Sequence, residues 1–385
     1  MRILIIKLGS LGDIIHTLPA ASLLRKSFPK AWISWVVDSR SSSILRDSPA
    51  IDQLIELDTR TWNADLLKRR TVADVLDRLA EIKGNKPPIR SVTHNGGAAS
   101  HVQNSTVGPA DIAIDFQGLI KSGVIAMASR ARRRIGCETS DLREKACSVF
   151  LTEQVPTAHV PHIIAKNVAI ARAVAARYGD TPSSGNGDAN KGEALYDFPL
   201  SLDTDHERYV RDLTGEDQRH FAMINPGSAW RTKLWPPNRY AELADWLELE
   251  YGIQTLVTYG PGEEPLAESV VLASNTRAAR IAGPTLQQFV ALARRASLFV
   301  GPDTGPLHLA AACGTPIVGL YGPTSPIRNG PFHSPDVTVS RDLWCRTDCH
   351  RRRCWHWECM DISVEDVKRA VSMRLGSSDQ PDTLG

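Results

Sequence analysis

Short hydrophobic runs alternate with longer helical patterns along most of the 385-residue chain. In the first half the runs are Arg2–Leu8, Trp32–Val37, Gln53–Leu57 and Asp111–Phe116. In the second half they are Phe221–Asn225, Ile253–Tyr259, Ala279–Ala282, Leu298–Gly301 and Pro316–Tyr321. Short β-rich runs that alternate with helices of ten or more residues are typical of βαβ units. The pattern therefore predicts an α/β protein with two doubly wound parallel sheets.

Polar stretches mark the boundaries between these two series. Residues 179–192 (GDTPSSGNGDANKG) are rich in glycine and cannot form a core, which predicts a linker. We expect domains at 1–190 and 200–360, a helix at 361–376 that packs back on the N-terminal domain, and a disordered tail at 377–385. Ser363 and Asp366 form a capping-box pattern at the start of that helix. Residues 85–108 are polar and show little periodicity, which predicts a mobile insertion in the first domain.

Composition and charge exclude several classes of protein. Lys+Arg 45 and Asp+Glu 43 leave a net charge of +2, which argues against a nucleic-acid binder held by charge alone. The first apolar run, Ile3–Ile6, is far shorter than a signal peptide or a membrane span requires. Seven cysteines are too few for a disulfide framework. We expect a cytoplasmic protein that does not span a membrane.

The segment Lys7–His16 (KLGSLGDIIH) follows the first predicted strand. Gly9 and Gly12 allow a tight turn that presents backbone amides at a helix N-terminus, which suits an anion or a polar ligand. The spacing is neither a dinucleotide fingerprint nor a P-loop. Asp13 falls in the first helical turn, where a carboxylate also stabilises the helix end. From these residues alone, both helix stabilisation and catalysis stay open for Asp13.

The second domain carries a more informative segment, Gly301–Ala312, after a predicted strand. Thr304 and Gly305 place amides and a hydroxyl where a helix N-terminus would hold a phosphate, and His308 lies one turn further on. Asp303 can accept hydrogen bonds from a sugar; the alternative is an N-cap with a buried histidine. Lys233, in the loop after the first strand of this domain, is placed for a phosphate. Its alternative is a solvated surface lysine.

Four blocks together carry a family resemblance: residues 12–20 (GDIIHTLPA), 113–122 (AIDFQGLIKS), 225–236 (NPGSAWRTKLWP) and 301–326. In order and spacing the chain resembles the bacterial lipopolysaccharide heptosyltransferases. This resemblance implies a GT-B fold, with two Rossmann-like domains facing a central cleft, and an inverting reaction that uses ADP-heptose. The 115–122 block and the pair Arg143–Glu144 are most similar to the branch that adds the first heptose to the Kdo sugar of the inner core.

The resemblance also implies roles for individual residues. Asp13 would be the general base that takes the proton from the acceptor hydroxyl. The donor-binding positions are Ser228, Lys233, Glu263, Glu264, Asp303, Thr304, Gly305 and His308. Of the two glutamates, one would bind the ribose, and the sequence does not choose between them. The acceptor-binding positions are Lys7, Ser10, Arg60, Lys121 and Arg143. Catalysis would need no cofactor, because Lys233, helix amides and His308 can neutralise the leaving ADP.

Two further charged patterns have simpler interpretations. Asp203-Thr-Asp205 matches a metal-binding DxD, but it stands before a helical pattern and favours an N-cap pair. The basic runs Arg130–Arg134 and Lys68–Arg70 suit an acceptor that bears phosphates and carboxylates. Solvated helix ends are the alternative for either run.

Four of the seven cysteines fall within fifteen residues, together with His350 and His356. They are Cys345, Cys349, Cys354 and Cys359. Thiols at this density suit a structural Zn site and, less well, an iron–sulfur site. Free or oxidised thiols are the alternative.

Taken together, the sequence predicts heptosyl transfer from an ADP-heptose donor to a Kdo-lipid A acceptor at the cytoplasmic face of the inner membrane, with no nucleic-acid partner. One alternative is a relative that uses another nucleotide sugar or adds the second heptose. Another is a non-catalytic sugar-binding or scaffold protein. Presence of Asp13, Lys233, Asp303 and His308 together favours an enzyme.

Overall fold

The chain divides into two compact units, Met1–Ser201 and Leu202–Gly385, each built on one six-stranded sheet. The structure is a computed structural model, and it describes residues 1–59, 77–84, 108–179, 196–202, 204–215, 220–276, 279–345, 349 and 351–376. The predicted linker, insertion and tail lie outside these residues, apart from residues 108 and 179 at their edges.

The first unit contains a parallel sheet in the order β3-β2-β1-β4-β5-β6. Its strands are β1 Arg2–Ile6, β2 Trp32–Asp38, β3 Gln53–Leu57, β4 Ile112–Asp115, β5 Arg133–Cys137 and β6 Glu153–Val155. The helices with defined bounds are α1 Leu11–Ile15, α2 Leu18–Ser27, α3 Ile120–Ala128 and α4 Ile163–Tyr178, with 3-10 helices at Ser39–Leu45 and Lys145–Phe150. Residues 77–82 are also helical.

The second unit repeats this design with the order β12-β11-β10-β7-β8-β9. Its strands are β7 Phe221–Ile224, β8 Gln254–Thr258, β9 Ala279–Ala282, β10 Leu298–Pro302, β11 Ile317–Tyr321 and β12 Val337–Ser340. Its helices are α5 Thr204–Thr214, α6 Pro237–Tyr251, α7 Glu264–Ala273, α8 Leu286–Ala293, α9 Gly305–Ala312, α10 Pro326–Asn329 and α11 Val364–Gly376. Short 3-10 helices cover Arg231–Lys233 and Glu358–Met360.

Each sheet has one position where the strand order reverses. In the first unit this position lies between β1 and β4, where Ile6 pairs with Asp115. In the second it lies between β10 and β7, where Val300 pairs with Ile224. Ligands of doubly wound sheets bind beyond the carboxyl ends of the strands at such a point. The loops after β1, β4, β7 and β10 are therefore where a site is expected, and each of the four sequence blocks includes or directly follows one of these loops.

Strand β5 corrects the interpretation of one basic run as a helix end. Residues Arg133 and Arg134 begin this strand rather than end a helix. Arg133 pairs with Glu153 at 3.2 Å, and the Arg134 guanidinium donates to the Phe150 carbonyl. These two arginines are thus engaged within the unit. The other run, Lys68–Arg70, lies outside the described residues.

The apolar face of helix α11 belongs to the core of the second unit. Val364, Val367, Ala370 and Val371 are buried in the same cluster as residues of β11 and α6. A buried ion pair between Arg374 and Asp336, at 2.9 Å, fixes the end of the helix to this unit. The apolar face of this helix therefore packs within the second unit, and its packing on the N-terminal domain stays a prediction. The predicted cap is confirmed: Ser363 Oγ accepts the amide of Asp366 at 3.1 Å.

Candidate active site

Asp13 lies in the first turn of α1, at the reversal point of the first sheet. The amide and the hydroxyl of Ser10 both donate to its Oδ2, at 3.0 and 3.1 Å. The other oxygen, Oδ1, lies 3.7 Å from Lys7 Nζ, and the Asp13 side chain is 34% exposed. Within the described part of the chain, Oδ1 accepts no hydrogen bond. Asp13 therefore both stabilises the helix end and presents an oxygen that can take a proton.

The charge of Asp13 is maintained by its surroundings. Burial alone would raise the pKa of this carboxyl, but the Lys7 ammonium, the two Ser10 hydrogen bonds and the more distant Arg143 hold the pKa below its usual value. Asp13 is consequently ionised at neutral pH. A charged, partly exposed carboxylate beside a loop at a reversal point is suited to act as a general base.

Gly9 allows the loop to fold closely onto Asp13. A Cβ placed at Gly9 would stand 2.3 Å from Asp13 Oδ2, a distance that only movement of the carboxylate could relieve. The spacing of Gly9 and Gly12 predicts an anion-binding turn but gives no sign of this contact with Asp13. Glycine is required here because of space rather than because of backbone angle.

The 115–122 block, which begins at the end of β4, contacts the loop that follows β1. Gln117 Oε1 accepts the amides of Leu8 and Gly9, both at 3.1 Å. Asp115, buried at the end of β4, in turn accepts the amides of Gln117 and Gly118. Burial raises the pKa of Asp115 above its usual value, although these hydrogen bonds act to lower it. Asp115 and Gln117 are thus positioning residues that the motif contains and that the sequence analysis did not assign.

The predicted acceptor residues fall into two groups. Lys7 is buried and donates to the Phe116 carbonyl at 2.7 Å, and Ser10 donates to Asp13, so both lie against the Asp13 carboxylate. Lys121, in the first turn of α3, and Arg143 are exposed. Their loops are joined because Glu144 accepts the amide of Ile120 at 2.7 Å. Arg60 lies outside the described residues.

In the second unit, Asp303 is the centre of a charged network at the end of β10. Its Oδ1 lies 2.9 Å from His308 Nε2 and its Oδ2 lies 2.8 Å from Lys233 Nζ. The hydroxyl of Thr324 also donates to Oδ2. Only 4% of Asp303 is exposed. Both oxygens therefore accept hydrogen bonds from the protein, an arrangement that orients Lys233 and His308 and leaves little surface for a sugar.

Asp303 is charged despite this burial. Burial would raise its pKa, yet the hydrogen bond and charge of His308 and the charge of Lys233 hold the pKa far below its usual value. An unpaired carboxylate would be costly in so dry a place, and Asp303 is paired with the Lys233 ammonium and lies within hydrogen-bond distance of the His308 ring. The network joins residues 70 positions apart because β7 and β10 are neighbours.

The other predicted donor residues surround this network. Lys233 also donates to the Asp303 carbonyl and stands 4.8 Å from the centre of the Trp230 ring. Ser228 Oγ accepts the amide of Trp230 at 3.1 Å in the same loop. Thr304 is the N-cap of α9 and Gly305 its first residue, so the helix N-terminus begins next to Asp303. The Lys233 ammonium and the backbone amides at the start of α9 therefore both lie next to Asp303.

The two candidate glutamates differ in their surroundings. Glu263 accepts the Gly260 amide at 3.1 Å, and a Cβ at Gly227 would lie 2.1 Å from its Oε2. It therefore packs directly on the loop that carries Ser228. Glu264 instead accepts the Tyr259 hydroxyl at 3.2 Å and is exposed. The contact with Gly227 favours Glu263 as the residue at the donor loop.

The remaining metal-like patterns show no coordination geometry. Asp205 is exposed and pairs with Arg208 at 3.5 Å, while Asp203 lies outside the described residues. The four clustered cysteines are free thiols. Among the residues that the structure describes, no three His, Cys, Asp or Glu side chains are arranged to hold a metal ion.

The chain was compared with known proteins. Residues 102–356, more than half of the chain, match glycosyltransferase family 9 (heptosyltransferase). The chain is 27% identical to lipopolysaccharide heptosyltransferase 1 of Pseudomonas aeruginosa, over 96% of this chain and 92% of that protein. It is 26% identical to lipopolysaccharide heptosyltransferase 1 of Escherichia coli K12, over 85% and 89%.

Solved structures have the same fold. The Escherichia coli heptosyltransferase WaaC with ADP-2-deoxy-2-fluoro heptose gives a TM-score of 0.71 at 20% identity, covering 97% of this chain and 99% of that one. A glycosyl transferase family 9 protein of Veillonella parvula gives 0.74 at 21% identity, covering 98% and 97%. None of the helices in the described ranges is long and apolar enough to cross a membrane. The fold is GT-B, and the chain belongs to glycosyltransferase family 9, the heptosyltransferases.

Proposed function

We propose that this chain is an inverting enzyme that transfers heptose from ADP-heptose to the Kdo sugar of the lipid A inner core. The observation that carries the proposal is a matched pair of sites at the two sheet reversals. One unit offers the ionised carboxylate of Asp13 beside Lys7, and the other offers Lys233 and His308 oriented by Asp303. Family membership and the named relatives support heptose as the sugar.

In the proposed reaction, the acceptor hydroxyl oxygen attacks the anomeric carbon of the heptose. The bond from that carbon to the oxygen of the β-phosphate breaks, and ADP leaves with the electron pair. Asp13 accepts the hydroxyl proton as the new bond forms, which a carboxylate can do once the hydroxyl acidifies in the transition state. A single displacement of this kind inverts the anomeric centre.

The leaving ADP gains negative charge, and the second unit supplies the groups that would stabilise it. Lys233 is a point charge held by Asp303, and the amides at the start of α9 add the positive end of a helix dipole. His308 completes this set. We therefore propose a reaction without a catalytic cofactor, in which these groups balance the charge.

The acceptor would be bound by the exposed cations of the first unit. Lys121 lies in the first turn of α3 and Arg143 precedes Glu144, which accepts the Ile120 amide, and the charge of Arg143 acts on Asp13. Phosphates and the Kdo carboxylate are the anions that such residues bind, and Arg can do so with two hydrogen bonds. Because this acceptor is a lipid, we propose that the enzyme works at the cytoplasmic face of the inner membrane.

The proposal is tested by measuring donor binding and transfer with the full chain. Calorimetry with ADP-, UDP- and GDP-sugars should show binding of ADP-heptose only, and mass spectrometry should show Kdo-lipid A gaining one heptosyl unit. Transfer from a UDP- or GDP-sugar would show that ADP-heptose is not the donor. If only an acceptor that already carries one heptose reacts, the enzyme adds the second heptose and not the first. Binding without any transfer would favour a sugar-binding protein and overturn the proposal.

A further inference from the structure

The four clustered cysteines share one cavity in the second unit. The lining of this cavity includes Cys345, Cys349, Cys354, Cys359 and His356. The negative charge of a thiolate at Cys345, Cys354 or Cys349 would act on Cys359, and together with burial it raises the pKa of that thiol. The fold therefore brings together four cysteines that span fifteen residues of the sequence.

The turn after Cys354 is shaped around its sulfur. The backbone amides of Trp357 and His356 both donate to Cys354, the pattern in which a loop wraps a thiolate. Trp357 adopts a left-handed backbone with φ 49°, which is uncommon for a residue with a side chain. Amide hydrogen bonds to sulfur stabilise the charged form of a thiol, which is the form that binds metals.

The charges around the cavity suit a group that is negative overall. A divalent ion with four thiolate ligands carries a net charge of −2, and Arg351, Arg352 and Arg353 stand between Cys349 and Cys354. Across the described residues the side chains do not yet stand in coordination geometry. Binding would thus draw the thiols together and release their protons, as is usual where metal binding and local folding are coupled.

The cavity adjoins the loops that hold the donor residues. Thr232, next to Lys233, donates to the Arg351 carbonyl at 2.6 Å. A Cβ at Gly322 would stand 3.3 Å from Cys359 Sγ, so the loop after β11 touches the cluster. The Arg352 guanidinium lies 5.4 Å from the centre of the Trp230 ring, and Lys233 Nζ lies 4.8 Å from the same centre.

We propose that Cys345, Cys349, Cys354 and Cys359 bind one Zn²⁺ as a structural site that fixes the donor loop 225–236. Zinc prefers closed tetrahedral thiolate sites and takes no part in redox chemistry. The effect on the donor rests on the proposed function, whereas the metal site itself does not.

Metal content tests the site directly. Elemental analysis of the untagged full chain, purified without chelators, should give about one zinc per chain. Replacement by Co²⁺ should give the ligand-to-metal charge-transfer and d–d absorption of a tetrahedral thiolate site. Cys349→Ser with Cys354→Ser should lose both signals. Cys137→Ser, a thiol of the first unit, is the matched control and should keep them.

The outcomes separate the two proposals. Zinc binding with ADP affinity weakened about tenfold or more in the double variant supports both the site and its link to the donor loop. Zinc binding in a chain that binds no ADP leaves the site intact and refutes the proposed function. Iron with a tetrathiolate spectrum supports the site with a different ion. A metal-free chain with four thiols reactive to a titrant, or a double variant that keeps its zinc, overturns the site.

Discussion

Two aspartates lie on opposite sides of the strand-order reversals in the two sheets, one after β1 and one after β10, and their surroundings differ. Asp13 follows β1, keeps Oδ1 free of hydrogen bonds among the described residues, and is partly exposed. Asp303 ends β10, is buried, and has both oxygens engaged by protein donors. The first is arranged to accept a proton, and the second to position cations. The difference comes from the neighbouring side chains rather than from the residue type.

At the residue scale, Lys7 sets the acid limit of the reaction. Burial favours the protonated form of Asp13, and Lys7 is foremost among the groups that offset it, so Lys7→Met should raise the Asp13 pKa. The base must be ionised, so the acidic limb of the kcat/KM profile should move to higher pH. Lys26→Met, which removes an ammonium from the exposed pair with Asp197, is the control. An unchanged acidic limb in Lys7→Met would show that Asp13 does not titrate in the reaction.

Lys233 should act on the phosphates of the donor and not on its nucleoside. Lys233→Met should weaken ADP binding by about 10- to 100-fold, the range of a charged hydrogen bond, with adenosine binding unchanged. Calorimetry with both ligands measures the difference. The matched control is Lys368→Met. It removes a lysine of α11 that pairs with Glu242 and Glu365. Equal losses for ADP and adenosine would mean that the variant damages the fold instead.

Sequence reasoning predicted these individual residues but not their partners. Asp13, Lys233, Asp303 and His308 were recognisable because each follows a strand in a distinctive block. That Asp303 holds Lys233 depends on β7 lying beside β10, which no local pattern shows. The contact of Lys7 was not predictable for a related reason: it depends on the pairing of β1 with β4, which places its ammonium against the Phe116 carbonyl.

At the scale of elements, strands that are apolar were predicted and strands that are polar were missed. β5 begins with two arginines, and β6 and β12 are short strands with little burial. They lie at or near the edges of their sheets, where a strand needs fewer buried residues. The apolar stripe of α11 predicted a helix correctly, but a stripe does not specify which core it joins.

The β1–α1 loop should tolerate no side chain at Gly9. Gly9→Ala places a Cβ against the Asp13 carboxylate, so turnover should fall at least tenfold while the circular dichroism spectrum is retained. Gly376→Ala is the control, because its Cβ meets no atom within 4 Å. Normal turnover in Gly9→Ala would show that the observed position of Asp13 is not the active one.

At the scale of the whole molecule, each unit contributes a different half of the proposed chemistry. The first supplies the base and exposed cations, and the second supplies the phosphate-binding groups. The near-neutral net charge of +2 averages over such local clusters and therefore gave no indication of them.

The most direct test of this account compares the full chain with its Asp13→Asn variant. Donor affinity is measured with ADP-heptose, and single-turnover transfer is measured with Kdo-lipid A. We expect an unchanged Kd and a transfer rate lowered by about 10²- to 10⁴-fold, the range of general-base catalysis. Asp205→Asn, an exposed carboxylate of α5, should leave both values unchanged. Transfer at a near-normal rate by Asp13→Asn, with donor binding intact, would contradict the assignment of the base.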